Sequence, residues 1–260
     1  MEAIQSKDNL LIKDIKKLKE KKHRTQSCKF LIEGFRFVCE GLESDFDVPL
    51  VFISENAKDR WDSFNVQSKL QKETRVYTVT DQILKSISST DTPQGIVAVV
   101  NNKSISAENK QGFYILVDKV QDPGNVGTII RTAHAAGALG IIVTKGTVDI
   151  YNEKTLRSTM GSIFHIPIIQ DDNLLQLNFL RSNGFKLIVS SLDTDNNFFD
   201  VELKDKSIIA VGNEGNGISK ELLDISDVKI KIPMPGGAES LNVSIAASIM
   251  MFEVIRQNLS

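Results

Sequence analysis

Four residues, Asn125, Arg131, Glu214 and Asn242, have the types and settings from which chemistry could be built. Asp122-Pro123-Gly124-Asn125 is a turn signature that opens a helix. Arg131 lies on that helix among Ile129, Ile130, Ala133, Ala135 and Ala136. Six positions separate Asn125 from Arg131, so on one ideal helix they lie far apart around the axis. A guanidinium in so small and apolar a helix is the oddity of this stretch, and its plain reading is a buried salt-bridge partner. Gly212-Asn213-Glu214-Gly215-Asn216-Gly217 is spaced G-x-x-G-x-G, which is neither the dinucleotide fingerprint nor a P-loop. Glycines let a backbone approach a ligand closely; the plain alternative is a structural turn. Glu214 within it could pair with Arg131. The third stretch runs from Pro233 to Ser244, and either Ser240 or Asn242 could cap the helix that follows.

The elements that must hold these stretches can be read from the pattern. Each stretch follows a strand: Phe113–Val117, Ser207–Gly212 and Val228–Ile232. Ligands of open α/β sheets bind outside the carboxyl ends of the strands. Further strands are expected at Gly140–Thr144 and Phe185–Ser190, and helices over Asn125–Ala136 and Leu241–Asn258. Strands alternating with helices predict a mostly parallel sheet covered on both faces. Residues 1–102 alternate similarly, with strands at Phe30–Gly34, Pro49–Ser54, Val76–Val79 and Gln94–Val100. Between them, helices are expected over Phe35–Leu42, Trp61–Lys72 and Gln82–Ile87. The polar run around residues 103–112 reads as a linker. The expected division is therefore a smaller α/β domain over 1–102, a linker over 103–112 and a second α/β domain over 113–260.

Composition narrows the classes. The 260 residues are 41% hydrophobic and 25% charged, values that argue against disordered and fibrous chains. Cys28 and Cys39 have no CxxC spacing, and His23, His134 and His165 are scattered, so neither a disulfide scaffold nor a metal site is expected. No uncharged apolar run is long enough to span a membrane, and the first residues lack the apolar core of a signal peptide. A cytoplasmic location without a membrane partner is the expectation. Net charge is −2, yet Lys13, Lys16, Lys17, Lys19, Lys21, Lys22 and Arg24 crowd one early segment, read as a single helix from Leu10 to Arg24. That segment is either a solvated face or a phosphate-contacting surface.

Taken together, three stretches resemble the SpoU/TrmH class of SPOUT ribose 2′-O-methyltransferases. They are Asp122-Pro123-x-Asn125-x-Gly127-x-Ile129-x-Arg131-Thr132-Ala133, then Gly212-x-Glu214-x-x-Gly217, then Ile232-Pro233-Met234 with Ser240-Leu241-Asn242-Val243-Ser244. The resemblance covers about residues 113–258. Thr92-Pro93-Gln94-Gly95-Ile96 and Ile32-Glu33-Gly34 look similar to parts of the ribosomal-protein-like substrate-binding domain that precedes it in such enzymes.

The resemblance implies a deep trefoil knot in the parallel-sheet domain and a homodimer. It implies S-adenosylmethionine as cofactor, held by Gly212, Ile232 and Leu241, chiefly through backbone groups, with Ser240 and Ser244 in the same set. Asn242 and Ser244 would also hold the knot loop. Arg131 would act at the ribose hydroxyl, Asn125 would orient the ribose or Arg131, and Glu214 would hold Arg131. No metal is implied. Ribosomal RNA is the expected substrate. Transfer RNA and a non-catalytic, knotted RNA-binding protein are the alternatives, and a nicotinamide-dependent oxidoreductase lacks the fingerprint after the first strand.

Overall fold

The computed structural model describes residues 1–259. They form two compact units, one of Met1–Lys103 with Tyr151–Phe164, the other of Ser104–Ile150 with His165 onward.

In the first unit, β1 (Glu2–Ile4) leads to α1 (Leu10–Lys17) and α2 (Lys21–Ser27), then β2 (Lys29–Glu33), α3 (Phe35–Glu43) and β3 (Leu50–Ser54). After α4 (Lys58–Ser63) and α5 (Val66–Lys69) come β4 (Arg75–Val79), α6 (Asp81–Ile87) and β5 (Ile96–Asn101). The strands make one mixed sheet in the order β1-β4-β3-β5-β2. Ile12, Ile15 and Leu18 from the basic segment pack with Phe52, Val79, Ile83, Ile87 and Val99 into its core.

The basic segment, expected as one helix, breaks after Lys17. The amides of Leu18, Lys19 and Glu20 turn back to carbonyls three residues earlier. The Arg24 guanidinium donates to the carbonyls of Leu18 (2.8 Å) and Lys19 (2.7 Å) that the break sets free. The helix expected over Trp61–Lys72 also divides, at Asn65, whose φ of 50° lies in the left-handed region.

The second unit begins with β6 (Phe113–Val117), α7 (Pro123–Ala135) and β7 (Gly140–Val143). Next in the chain is α8 (Glu153–Thr159), which belongs to the first unit. Its segment is fixed there by Tyr151 stacked on Phe30 at 4.6 Å and Phe164 against Phe37 and Phe46. Then follow β8 (Ile168–Gln170), α9 (Leu175–Ser182), β9 (Lys186–Ser190), β10 (Ser207–Val211), α10 (Lys220–Ile225), β11 (Val228–Ile230) and α11 (Val243–Asn258). All six strands pair in parallel, in the order β11-β9-β10-β6-β7-β8. The central strands β6 and β10 are buried throughout, as expected of a sheet covered on both faces.

The run after Lys103 is held by packing rather than left loose. Ile105 and Ala107 join the core of the second unit, Ala107 donates its N–H to Gln176, and Glu108 exchanges hydrogen bonds with the Tyr114 hydroxyl.

Candidate functional site

The strand order puts the carboxyl ends of β6 and β10 side by side, because Val211 pairs with Val117 in register. The loops that leave these two ends therefore meet. The β6–α7 loop is shaped by its own side chains. Asp122 caps α7 by accepting from the Asn125 N–H at 2.8 Å, and Pro123 occupies the first turn, where no donor is needed. The loop after β10 is a tight turn in which Asn213 and Gly217 exchange backbone hydrogen bonds of 2.9 Å. The Asn213 side chain accepts from Gly215 and Asn216 and donates to the Lys119 carbonyl.

Three polar side chains tie these loops to the start of α11. Glu214 accepts from the Asn125 side-chain amide (2.9 Å), the Asp122 N–H (3.1 Å) and the Gln121 N–H (3.1 Å). Asn125 in turn accepts from the Asn242 side-chain amide at 2.9 Å. The Asn242 oxygen accepts from the Ser244 N–H (2.9 Å) and hydroxyl (2.7 Å) and so caps α11.

The order of donors and acceptors is forced. An ionised carboxylate only accepts, so Asn125 must turn its NH₂ to Glu214 and its oxygen to Asn242. Asn242 must then present its own NH₂, which leaves its oxygen for the helix cap. One carboxylate thus sets two amide orientations. Burial alone would push the Glu214 carboxyl up, but hydrogen bonds from Asn125 and from the backbone outweigh it and hold the group below the ordinary glutamate value.

Arg131 stands apart from this chain. It is exposed on α7, and its side chain makes no hydrogen bond or ion pair among the described residues. The expected Glu214–Arg131 pair is therefore absent, since both Glu214 oxygens are engaged by Asn125 and the loop backbone. A buried salt-bridge arginine is excluded on the same grounds.

Gly212 also has a different reason from the one its spacing suggested. A Cβ there would lie 2.2 Å from the Gly217 carbonyl carbon and 2.4 Å from the Ile218 nitrogen. The turn itself requires glycine, before any ligand is considered.

The third loop, 231–242, is exposed apart from the half-buried side chains of Ile232, Met234 and Leu241. Among the described residues, the backbone N–H groups of Ile232 and Leu241 find no protein acceptor. Ser240 is exposed, and Ser244 is 7% exposed beneath the Asn242 cap. Apolar side chains beside free backbone donors suit a ligand with a flat heterocycle and a polar tail, so this loop fits S-adenosylmethionine.

Other members of the site carried weak signals. Lys119 adopts a left-handed φ of 56°, and its carbonyl accepts from both Gln121 and Asn213. Asp118, 1% exposed, accepts from the Thr144 hydroxyl and the Ser219 N–H and so joins three loops. An aspartate ending an apolar strand was the one visible hint. Among the described residues, no group of three or more metal-ligating side chains comes together, and no helix is long and apolar enough to cross a membrane.

Residues 112–252 match the profile of the SpoU rRNA Methylase family, which spans more than half the chain and all three loops. The chain belongs to that family. Residues 9–98 match the MRM3-like substrate binding domain. A relative from Bacillus subtilis, the 23S rRNA (guanosine(2553)-2′-O)-methyltransferase RlmP, is 35% identical over 98% of this chain and 99% of its own length. The crystal structure of an rRNA methyltransferase from Sinorhizobium meliloti bound to S-adenosylmethionine superposes with a TM-score of 0.87 at 31% identity, covering 100% of this chain and 99% of that one. The SpoU methyltransferase AviRb from Streptomyces viridochromogenes, also in complex with the cofactor, gives 0.86 at 26% identity over 97% and 99%. These matches run through both units, so the α/β architecture with its smaller N-terminal part is that of the family.

Proposed function

We propose that the chain transfers the methyl group of S-adenosylmethionine to a ribose 2′-hydroxyl in ribosomal RNA. The hydrogen-bonded series Asn242–Asn125–Glu214 carries the reading, because it fixes three loops at the carboxyl end of a parallel sheet. The substrate class rests on the relatives that match along their whole length and are named as ribosomal RNA enzymes.

Bound S-adenosylmethionine supplies an electrophilic methyl whose sulfonium is already a good leaving group. Backbone groups of Gly212, Ile232 and Leu241 hold it, with Ser240 and Ser244 in the same set. The chain must then align the 2′-oxygen with the methyl and ease the loss of its proton. Arg131 does the second task electrostatically. Its guanidinium presents hydrogen-bond donors and no acceptor. It steadies the negative charge on the oxygen while the proton leaves to water or to an RNA phosphate oxygen. Asn125, oriented by Glu214 and Asn242, positions the ribose.

The domain division, a trefoil knot and a homodimer belong to the same reading. Segment 191–206 is hydrogen-bonded to Lys231 on one side and to Gln257 and Asn258 at the end of α11 on the other, as a loop encircling the C-terminal segment would be. Ile245 and Phe252, seven positions apart on α11 and 51% and 52% exposed, give a second copy an apolar face to cover. A cytoplasmic location goes with this reading.

The test is methyl transfer from radiolabelled S-adenosylmethionine to deproteinised RNA from cells lacking the gene. Label is expected in the ribosomal fraction at a 2′-oxygen. Label confined to transfer RNA, or no transfer by a chain that binds the cofactor, would overturn the assignment.

A further inference from the structure

The first unit contains a cavity of about 510 Å³, and every residue lining it belongs to that unit. Its walls carry the cations Lys19, Arg24 and Lys154 against one carboxylate, Glu153, and the ring of Tyr151 beside two leucines. This size is within the range of small-ligand sites, and the charge balance selects an anion with an apolar part.

The lining is held in place by the fold. Lys19 donates to the carbonyls of Ser86 and Ser88. Arg24 is tethered to the carbonyls of Leu18 and Lys19. The Tyr151 ring is stacked on Phe30 at 4.6 Å. Ser88 also lines the cavity, is 4% exposed, and its buried hydroxyl has no hydrogen-bond partner. Buried hydroxyls are nearly always paired, so this one is an open position for a ligand's polar atom. Burial pushes the Lys19 ammonium down and Lys16 adds to this, although Glu153 and Glu33 pull it back.

We propose that this cavity takes one unpaired nucleotide of the RNA, its base against Tyr151 and its phosphate on Lys19, Arg24 and Lys154. The proposal rests on the RNA reading above. Unstacked bases are recognised by stacking on aromatic rings and by contacts to their edges, which a duplex cannot offer. The site therefore selects a loop or bulge of the RNA, separately from the methyl-transfer site.

The test compares the full chain with Tyr151→Leu/Lys154→Gln and with Ser88→Ala by fluorescence anisotropy. The probes are a mixed-sequence single strand of about ten nucleotides and the same strand in a duplex. Losing one stacked base and one phosphate contact should raise the single-strand Kd about tenfold. Ser88→Ala should raise it about threefold, and neither variant should change duplex or S-adenosylmethionine affinity. Equal losses for both RNAs would reduce the cavity to surface charge, and unchanged single-strand affinity would remove it as a site. If the double variant fails to fold, Ser88→Ala decides alone, since it removes a hydroxyl with no protein partner. A wild-type chain that binds no S-adenosylmethionine would sink the methyltransferase reading, while the single-strand comparison would still decide the cavity.

Discussion

Arg131 and Glu214 act through opposite arrangements, one without a protein partner and the other saturated. Because Arg131 contacts no described side chain by hydrogen bond or ion pair, its removal leaves no orphaned group behind. Arg131→Ala should shift stability by no more than about 0.5 kcal/mol and leave cofactor affinity intact. It should still lower kcat by about a hundredfold or more, the scale of a lost charge-stabilising donor. Thermal melts, calorimetry and single-turnover rates on one preparation separate these effects. A melted or cofactor-blind variant would return Arg131 to a structural role. Glu214→Gln behaves differently. The new NH₂ group must face a donor, either a backbone N–H or Asn125, so at least one bond is lost, at about 1–3 kcal/mol. Glu214 also titrates. Its folded pKa lies below the ordinary glutamate value, so its contribution is fully present above about pH 4.3, the unfolded value, and is lost as pH falls through the lower folded value. The stability gap between wild type and Glu214→Gln should be constant near neutrality and close on acidification. A gap that widens in acid would contradict the assigned ionisation.

At the scale of elements, Gly212 is a poor probe of the cofactor site, because any side chain there collides with the backbone of its own turn. Leu241→Ala and Ile232→Ala are better. Both side chains are half-buried on an otherwise exposed loop, so truncation should weaken S-adenosylmethionine about tenfold by loss of apolar contact while the fold persists. Unchanged affinity in both variants would move the cofactor off this loop. The basic helices give a second element-level test. Lys16, Lys17, Lys21 and Lys22 are exposed, and Lys17 pairs with Asp14 at 2.8 Å. Their replacement by Gln should weaken RNA binding and flatten the dependence of log affinity on log salt by up to about 3. An unchanged slope would leave these lysines as a solvated face.

These elements also mark the limit of the sequence as a guide. Strands with continuous apolar runs, such as Phe113–Val117 and Ser207–Val211, are legible because burial on both faces demands that pattern. The break between α1 and α2 is not, because no Gly or Pro announces it and Arg24 stabilises it from outside the turn. β1 and β8, three residues each, and the α8 segment that joins the first unit carry no readable period. At the site, the turn residues around Asn125 and Glu214 are visible as motifs. Which partner Glu214 takes depends on how α7 is rotated, and local spacing does not contain that angle.

On the scale of the whole molecule, the proposed RNA substrate requires a chain with net charge −2 to concentrate its attraction locally, and α1, α2 and the cavity beside them are the surfaces to which that attraction is assigned by proposal. The reaction is assigned to the other unit, where the loops after β6 and β10 meet the start of α11. The most direct measurement maps 2′-O-methyl positions in ribosomal RNA from cells lacking the gene, complemented with wild type or with Arg131→Ala. One ribose position should lose its methyl group on deletion, regain it with wild type and stay bare with Arg131→Ala expressed at equal level. Full methylation in the deletion strain, or restoration by Arg131→Ala, would contradict the account.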